Sequence, residues 1–228
     1  MFNLRRPQKL DMYGLPCRAL PNTQFLVDAF PRCGNTFFYY LLRETQESDL
    51  RIAHHMHSAG HLAMGVRFGV PTMTIVRKPD AACLSHIIRV PNVSAQASLE
   101  SYLRFHTVLL KLSNVLIVTF EEVIKEPDST LKLISQIYPV IKYVKVDKMV
   151  LENVDMRVKK ADMHDRQARN DQRDESFTVA KPSPAREKIK EQRKEEIYSQ
   201  GRLLIRCNEV YNQLIAKLER SQSFSFTP

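Results

Sequence analysis

Apolar residues fall in short continuous runs along this chain, separated by stretches in which they recur at helical spacing. The run over residues 24–30 reads as a buried strand that stops at Pro31. Residues 36–45 are apolar on nearly every side, which predicts a covered helix. A second strand is predicted over residues 50–55, then a helix over 58–68 with Gly69 at its C-terminal end. Residues 72–76 carry β-branched side chains and give a third strand. Asp80 is positioned to cap a helix running to about Ile88. Ser98 opens a longer amphipathic helix to about Leu112, with Glu100 and Ser101 in its first turn. A fourth strand over residues 115–120 and a helix over 127–138 follow. Strands alternating with helices of this length predict parallel βαβ units. The fold class expected is therefore α/β, a central parallel sheet flanked by helices in three layers, of P-loop NTPase-like kind.

The pattern changes near residue 156. Residues 157–175 are dense in charge, with one methionine and no aromatic side chain, and read as a mobile loop or an exposed helix. Pro182-Ser-Pro184 then introduces a long helix over residues 185–218, whose apolar positions suit one face packed on the domain. The organisation expected is an irregular lead-in over residues 1–22 and an α/β core over 23–156. A charged loop or lid follows over 157–183, then a C-terminal helix over 184–220 completing the domain and a disordered tail over 221–228.

Composition narrows the function classes. The 228 residues suit one domain, and 43% hydrophobic content is enough for a core. A formal net charge of +9 favours anionic partners without choosing among them. The four cysteines are scattered and form no C-x-x-C pair, which argues against zinc ribbons, dithiol redox motifs and a disulfide framework. Reduced thiols and the absence of a signal-like apolar N-terminus lead us to expect a cytoplasmic protein. No window of about 18 apolar residues is present to span a membrane.

The chemistry concentrates in two segments. In the first, the strand over 24–30 runs into Pro31-Arg32-Cys33-Gly34-Asn35-Thr36, and a helix begins at Asn35 or Thr36. A strand, a tight loop and a helix N-terminus present backbone N–H groups and a helix dipole to an anion. The ATP-type loop G-x-x-x-x-G-K-[ST] is not met: no Lys follows Gly34, and position 29 is Ala. Cys33 reads as a small residue fitting the loop rather than a nucleophile. In the second segment, Arg77 ends the third strand and Ser85 lies eight residues on, on the following helix. A fixed Arg fork there suits a bidentate phosphate contact. Fold logic brings the segments after the first three strands together at the carboxyl edge of the sheet.

The order Pro31, Arg32, small residue, Gly34, polar residue, Thr36, Phe37 resembles the 5′-phosphosulfate loop of the sulfotransferases that use 3′-phosphoadenosine 5′-phosphosulfate (PAPS). Cys33 and Asn35 depart from that family's usual residues, conservatively in size. The Arg77-to-Ser85 spacing resembles its 3′-phosphate segment, and residues 115–127 resemble a supporting strand and turn. The resemblance covers about residues 24–138. It implies PAPS as the donor, with no metal, and a nucleotide site made of Arg32, Cys33, Gly34, Asn35, Thr36, Phe37, Arg77 and Ser85. The family's late Gly-rich loop is not recognisable; Lys181 and Arg186, at the start of the last helix, stand in its place.

Histidines supply the candidate base. His54, His55 and His57 follow the second strand, and imidazole suits proton transfer near neutral pH. The family commonly places a His about twenty residues before the phosphate-binding Arg. His57 lies at that distance from Arg77, with His55 the second choice. The reading is sulfuryl transfer to a hydroxyl or amine on a saccharide, glycolipid or small metabolite, with Arg32 steadying the leaving group. Partners expected are the nucleotide and this acceptor, with no nucleic acid. A P-loop-type kinase and an RNA-binding module are the rivals.

Overall fold

The computed structural model describes residues 10, 11, 14, 16–47, 49–178 and 183–224. Its first half alternates strand and helix in the predicted order: β1 (Phe25–Val27), α1 (Asn35–Thr45), β2 (Ile52–His54), α2 (Ala59–Arg67), β3 (Thr72–Val76) and α3 (Pro79–Arg89). Then come α4 (Ala95–Lys111), β4 (Val115–Thr119), α5 (Phe120–Lys125) and α6 (Pro127–Ile137). The chain continues through α7 (Lys148–Ala168), α8 (Glu175–Thr178), α9 (Pro184–Tyr198) and α10 (Gly201–Phe224).

The strands form one parallel sheet in the order β2-β1-β3-β4, so the α/β class expected from the sequence is the one the protein has. Residues of β1 and β3 are buried throughout, as strands covered on both faces must be, and this is why they read as unbroken apolar runs. The chain leaves β1 toward β2 and then crosses back to β3. The sheet therefore changes winding direction between β1 and β3, where open α/β sheets hold their ligands.

Helix starts differ from expectation where proline or serine chemistry prevails. Lys78, not Asp80, precedes α3; Pro79 fills the first helical position, where its missing N–H costs nothing, and Asp80 lies in the first turn. Helix α4 begins at Ala95 because the Ser94 hydroxyl accepts from the Ala97 N–H, and Ser98 is buried inside the helix. A short helix the periodicity missed, α5, is set by a capping box between Thr119 and Glu122. The single C-terminal helix expected over 184–220 is two, α9 and α10, broken at residues 199–200. Residues 225–228 of the expected tail lie outside the described residues.

The boundary expected at residue 156 falls inside α7. Asp147 caps this helix by accepting from the Val150 N–H. Val154 is buried against the domain, and Asn153 and Arg157 both bond the Glu44 carboxylate of α1 at 2.7 Å. Of the loop and the exposed helix that the charge density allowed, the helix is present, with one docked face that the charge did not reveal.

Close packing fixes α2 on the sheet through Gly65. A methyl group there would lie 2.6 Å from the Thr72 hydroxyl and 2.7 Å from a Leu26 methyl, both in buried strands. Gly65→Ala should cost about 1–3 kcal/mol by overpacking. Thermal unfolding is expected to fall by roughly 3–10 °C, and an unchanged midpoint would contradict this packing.

Candidate functional site

The loop after β1 is anchored by Asp28, the one charged residue of that apolar run. It is fully buried. Its Oδ1 accepts from the N–H groups of Ala29 (2.9 Å) and His57 (3.1 Å) and from the Asn35 amide (3.2 Å). Its Oδ2 accepts from His61 Nδ1 at 2.7 Å, while His61 Nε2 accepts from the Ala19 N–H at 2.8 Å. Burial alone would raise the Asp28 carboxyl, but the His61 hydrogen bond and the nearby His57 and His61 outweigh it and hold the group lower. One carboxylate thus ties the loop after β1 to the histidine segment.

Backbone conformation in both segments is unusual. Arg32 (φ 69°), His55 (φ 54°) and His57 (φ 50°) are left-handed without being glycine, and Gly34 has φ 92°. Such residues persist only where surrounding contacts over-determine them, and they cluster at functional sites. Gly34 is required twice over, because a Cβ there would also meet the Phe120 ring at 3.3 Å. Helix α1 starts at Asn35 with no side-chain cap, so its first N–H groups are not taken up by a capping side chain.

Three guanidinium groups converge beside this loop. Arg32 Nε donates to Ser85 Oγ at 3.3 Å, and Arg186 Nη2 donates to the same oxygen at 3.0 Å. Arg77 Nη1 donates to the Arg32 carbonyl at 2.9 Å, and its guanidinium lies 3.9 Å from the centre of the Phe120 ring. Among the described residues their further bonds go to backbone oxygens, from Arg32 to Thr178 O (3.4 Å) and from Arg186 to Ser176 O (2.5 Å). Arg186 is only 2% exposed, an unusual burial for a cation. Among the described residues, none of the three is ion-paired with a carboxylate; Asp162, whose charge reaches Arg32 and Arg186, lies 3.8 Å from Arg89, which also bonds Asp165 and Asp171. Burial, then the charges of Arg186, Arg89 and Arg77, pull Arg32 down to about 9. The group still carries its proton at neutral pH. Burial is the larger cause and the neighbouring like charges the second, and a bound anion would offset both.

The histidines separate in role. His57 Nδ1 faces the Ala29 carbonyl at 2.8 Å, so this nitrogen donates, and in the neutral ring Nε2 carries the lone pair. The His57 side chain remains 31% exposed. His55 is engaged at both nitrogens, by Thr36 Oγ1 at 3.0 Å and His54 Nδ1 at 2.5 Å. His54 stacks on Tyr39, and burial depresses its basicity. Among the described residues, no three His, Cys, Asp or Glu side chains are arranged to hold a metal ion.

The remaining sequence candidates divide. Cys33 is buried and its thiol is pushed up to about 12, mainly by burial, so it is no thiolate nucleophile. The Asn35 amide turns to Asp28 rather than outward, and Phe37 packs against the core. Lys181 lies outside the described residues. Arg186 meets Ser85 across a separation of 101 residues. Asp28 and Arg89 were missed. For Asp28 the signal was present, a carboxylate inside an apolar strand run; for Arg89 there was none.

No protein-family model matches this chain, and no curated protein matches its sequence. Among solved structures, it is similar to mouse sulfotransferase SULT7A1 complexed with PAP, at 14% identity and a TM-score of 0.45. That likeness covers 61% of this chain and 65% of the mouse chain, so under two thirds of the latter's length is spanned.

Proposed function

We propose that this protein is a sulfotransferase that moves a sulfuryl group from PAPS to a hydroxyl or amine acceptor. One observation carries the reading: Arg32, Arg77 and Arg186 gather with Ser85, without carboxylate partners among the described residues, beside an uncapped helix N-terminus. Two anion cradles side by side suit a donor with a phosphosulfate at one end and a 3′-phosphate at the other. The α1 N-terminus and the Thr36 hydroxyl would take the phosphosulfate. Arg77, Ser85 and Arg186 would take the 3′-phosphate, which ATP lacks.

In the reaction the acceptor oxygen or nitrogen attacks sulfur in line. The bond from sulfur to the bridging oxygen breaks, and 3′-phosphoadenosine 5′-phosphate leaves. Arg32 neutralises charge growing on that oxygen, and His57 Nε2 takes the acceptor proton. His55, bonded to Thr36, orients the loop hydroxyl instead of acting as base. Catalysis here is positioning plus charge stabilisation.

Calorimetry with 3′-phosphoadenosine 5′-phosphate against Mg-ATP tests the assignment. The first should bind at least tenfold more tightly; equal or preferred ATP binding would favour a kinase and overturn it. Arg186→Met should weaken binding of the 3′-phosphorylated nucleotide by about 10–100-fold, the worth of one charge-assisted hydrogen bond. Unchanged affinity in that variant would remove Arg186 from the site.

A further inference from the structure

Helix α7 turns one face to α1 and leaves the opposite one uncovered. On that outer face Met149, Met156 and Met163 are 65%, 61% and 58% exposed. They recur every seven residues, so they form one stripe that drifts only about 20° per step around the helix. Three large apolar side chains in a row on a charged helix are out of keeping with a face meant only for water.

The flanks of the stripe carry a pattern that fits a second copy of the same helix. Glu152 and Lys159 are exposed on one flank, four residues before and three residues after Met156. A two-fold axis through Met156, at right angles to the helix, sets Met149 against the partner's Met163. The same axis sets each Glu152 against the partner's Lys159. Within one chain and among the described residues, Glu152 pairs with Lys148, at 3.7 Å with the Lys148 side chain 91% exposed, a contact worth little in water. Glu152 can therefore turn to the cross-chain pair at small cost.

We propose that α7 is the contact of an antiparallel homodimer centred on Met156. The surface is self-complementary in both shape and charge, as a two-fold interface requires. The 20° drift matches the shallow crossing of helices that pack in a left-handed sense. A single stripe falls well short of the ~800 Å² per partner of a standard interface, so the dimer is weak and concentration-dependent.

Sedimentation velocity over a range of protein concentration should show a rapid monomer–dimer equilibrium. Met156→Lys, a surface change, should weaken it at least tenfold with unchanged thermal unfolding. Glu152→Lys should weaken it too, and adding Lys159→Glu should restore it. Register is read by cross-linking. Cys17, Cys33, Cys83 and Cys207 are all buried, so an introduced thiol is the reactive one. A short bismaleimide should join Met156→Cys chains but not Gln167→Cys chains, whose thiols would lie about 33 Å apart across the axis. A monomer at all concentrations would overturn the proposal, as would cross-linking of both variants, which indicates a parallel pair. Binding of the monomer to phosphatidylserine vesicles, lost in Met156→Lys, would overturn it in favour of a lipid surface.

Discussion

Replacing His57 by Asn should lower the proposed sulfuryl-transfer turnover by about 10²–10⁴, the usual contribution of a positioned base, with nucleotide affinity kept within about twofold. Asn is the right replacement because it tolerates the left-handed conformation at φ 50° that most side chains resist. Its backbone N–H can still reach Asp28, so the loop geometry survives. The expectation follows from the tautomer: the Ala29 carbonyl holds the proton on Nδ1 and leaves Nε2 as the basic nitrogen. Single-turnover rates with a phenolic or sugar acceptor would measure it. His55→Asn should have a smaller effect, since that ring is engaged by Thr36 and His54. If the His55 variant alone loses turnover, the two roles are exchanged.

Asp28→Ala should remove about 3–5 kcal/mol of stability, measured by urea unfolding, because it strands buried donors that shared one carboxylate. Ala29 N–H, His57 N–H, the Asn35 amide and His61 Nδ1 would all lose their acceptor. Asp28→Asn should cost less, since its carbonyl oxygen keeps the three Oδ1 bonds, although its amide N–H then faces the His61 donor and that one bond is lost. The pH dependence has a definite sign. Asp28 is held below the ordinary carboxylate value, so its stabilisation is present above about pH 4 and is lost as pH falls through the folded value. The wild-type protein should therefore lose stability on acidification more steeply than Asp28→Asn. Identical acid limbs would show that Asp28 is not ionised in the fold.

The alternation of strands and helices was legible because β1 and β3 are covered on both faces and must be apolar throughout. Helix α7 was harder to see. Its docked face rests on Val154 and on bonds to Glu44, which lies about a hundred residues earlier, so local periodicity was faint. The break between α9 and α10 did carry a local signal, Ser199 and Gly201, which the apolar spacing across residues 185–218 outweighed.

By itself the sequence determined the sheet, the loop after β1 and the two basic positions Arg32 and Arg77, because each is written in neighbouring residues that set a strand end or a helix start. Only the tertiary structure decided that Arg186 meets Ser85 and that Asp28 joins two loops. It also decided that Asp162, Asp165 and Asp171 gather at Arg89 while three guanidinium groups crowd together around Ser85 and the loop. Those facts depend on α9 packing against α3 and on β1 lying beside β2. Charge convergence is a property of three-dimensional proximity, and no spacing along a chain records it.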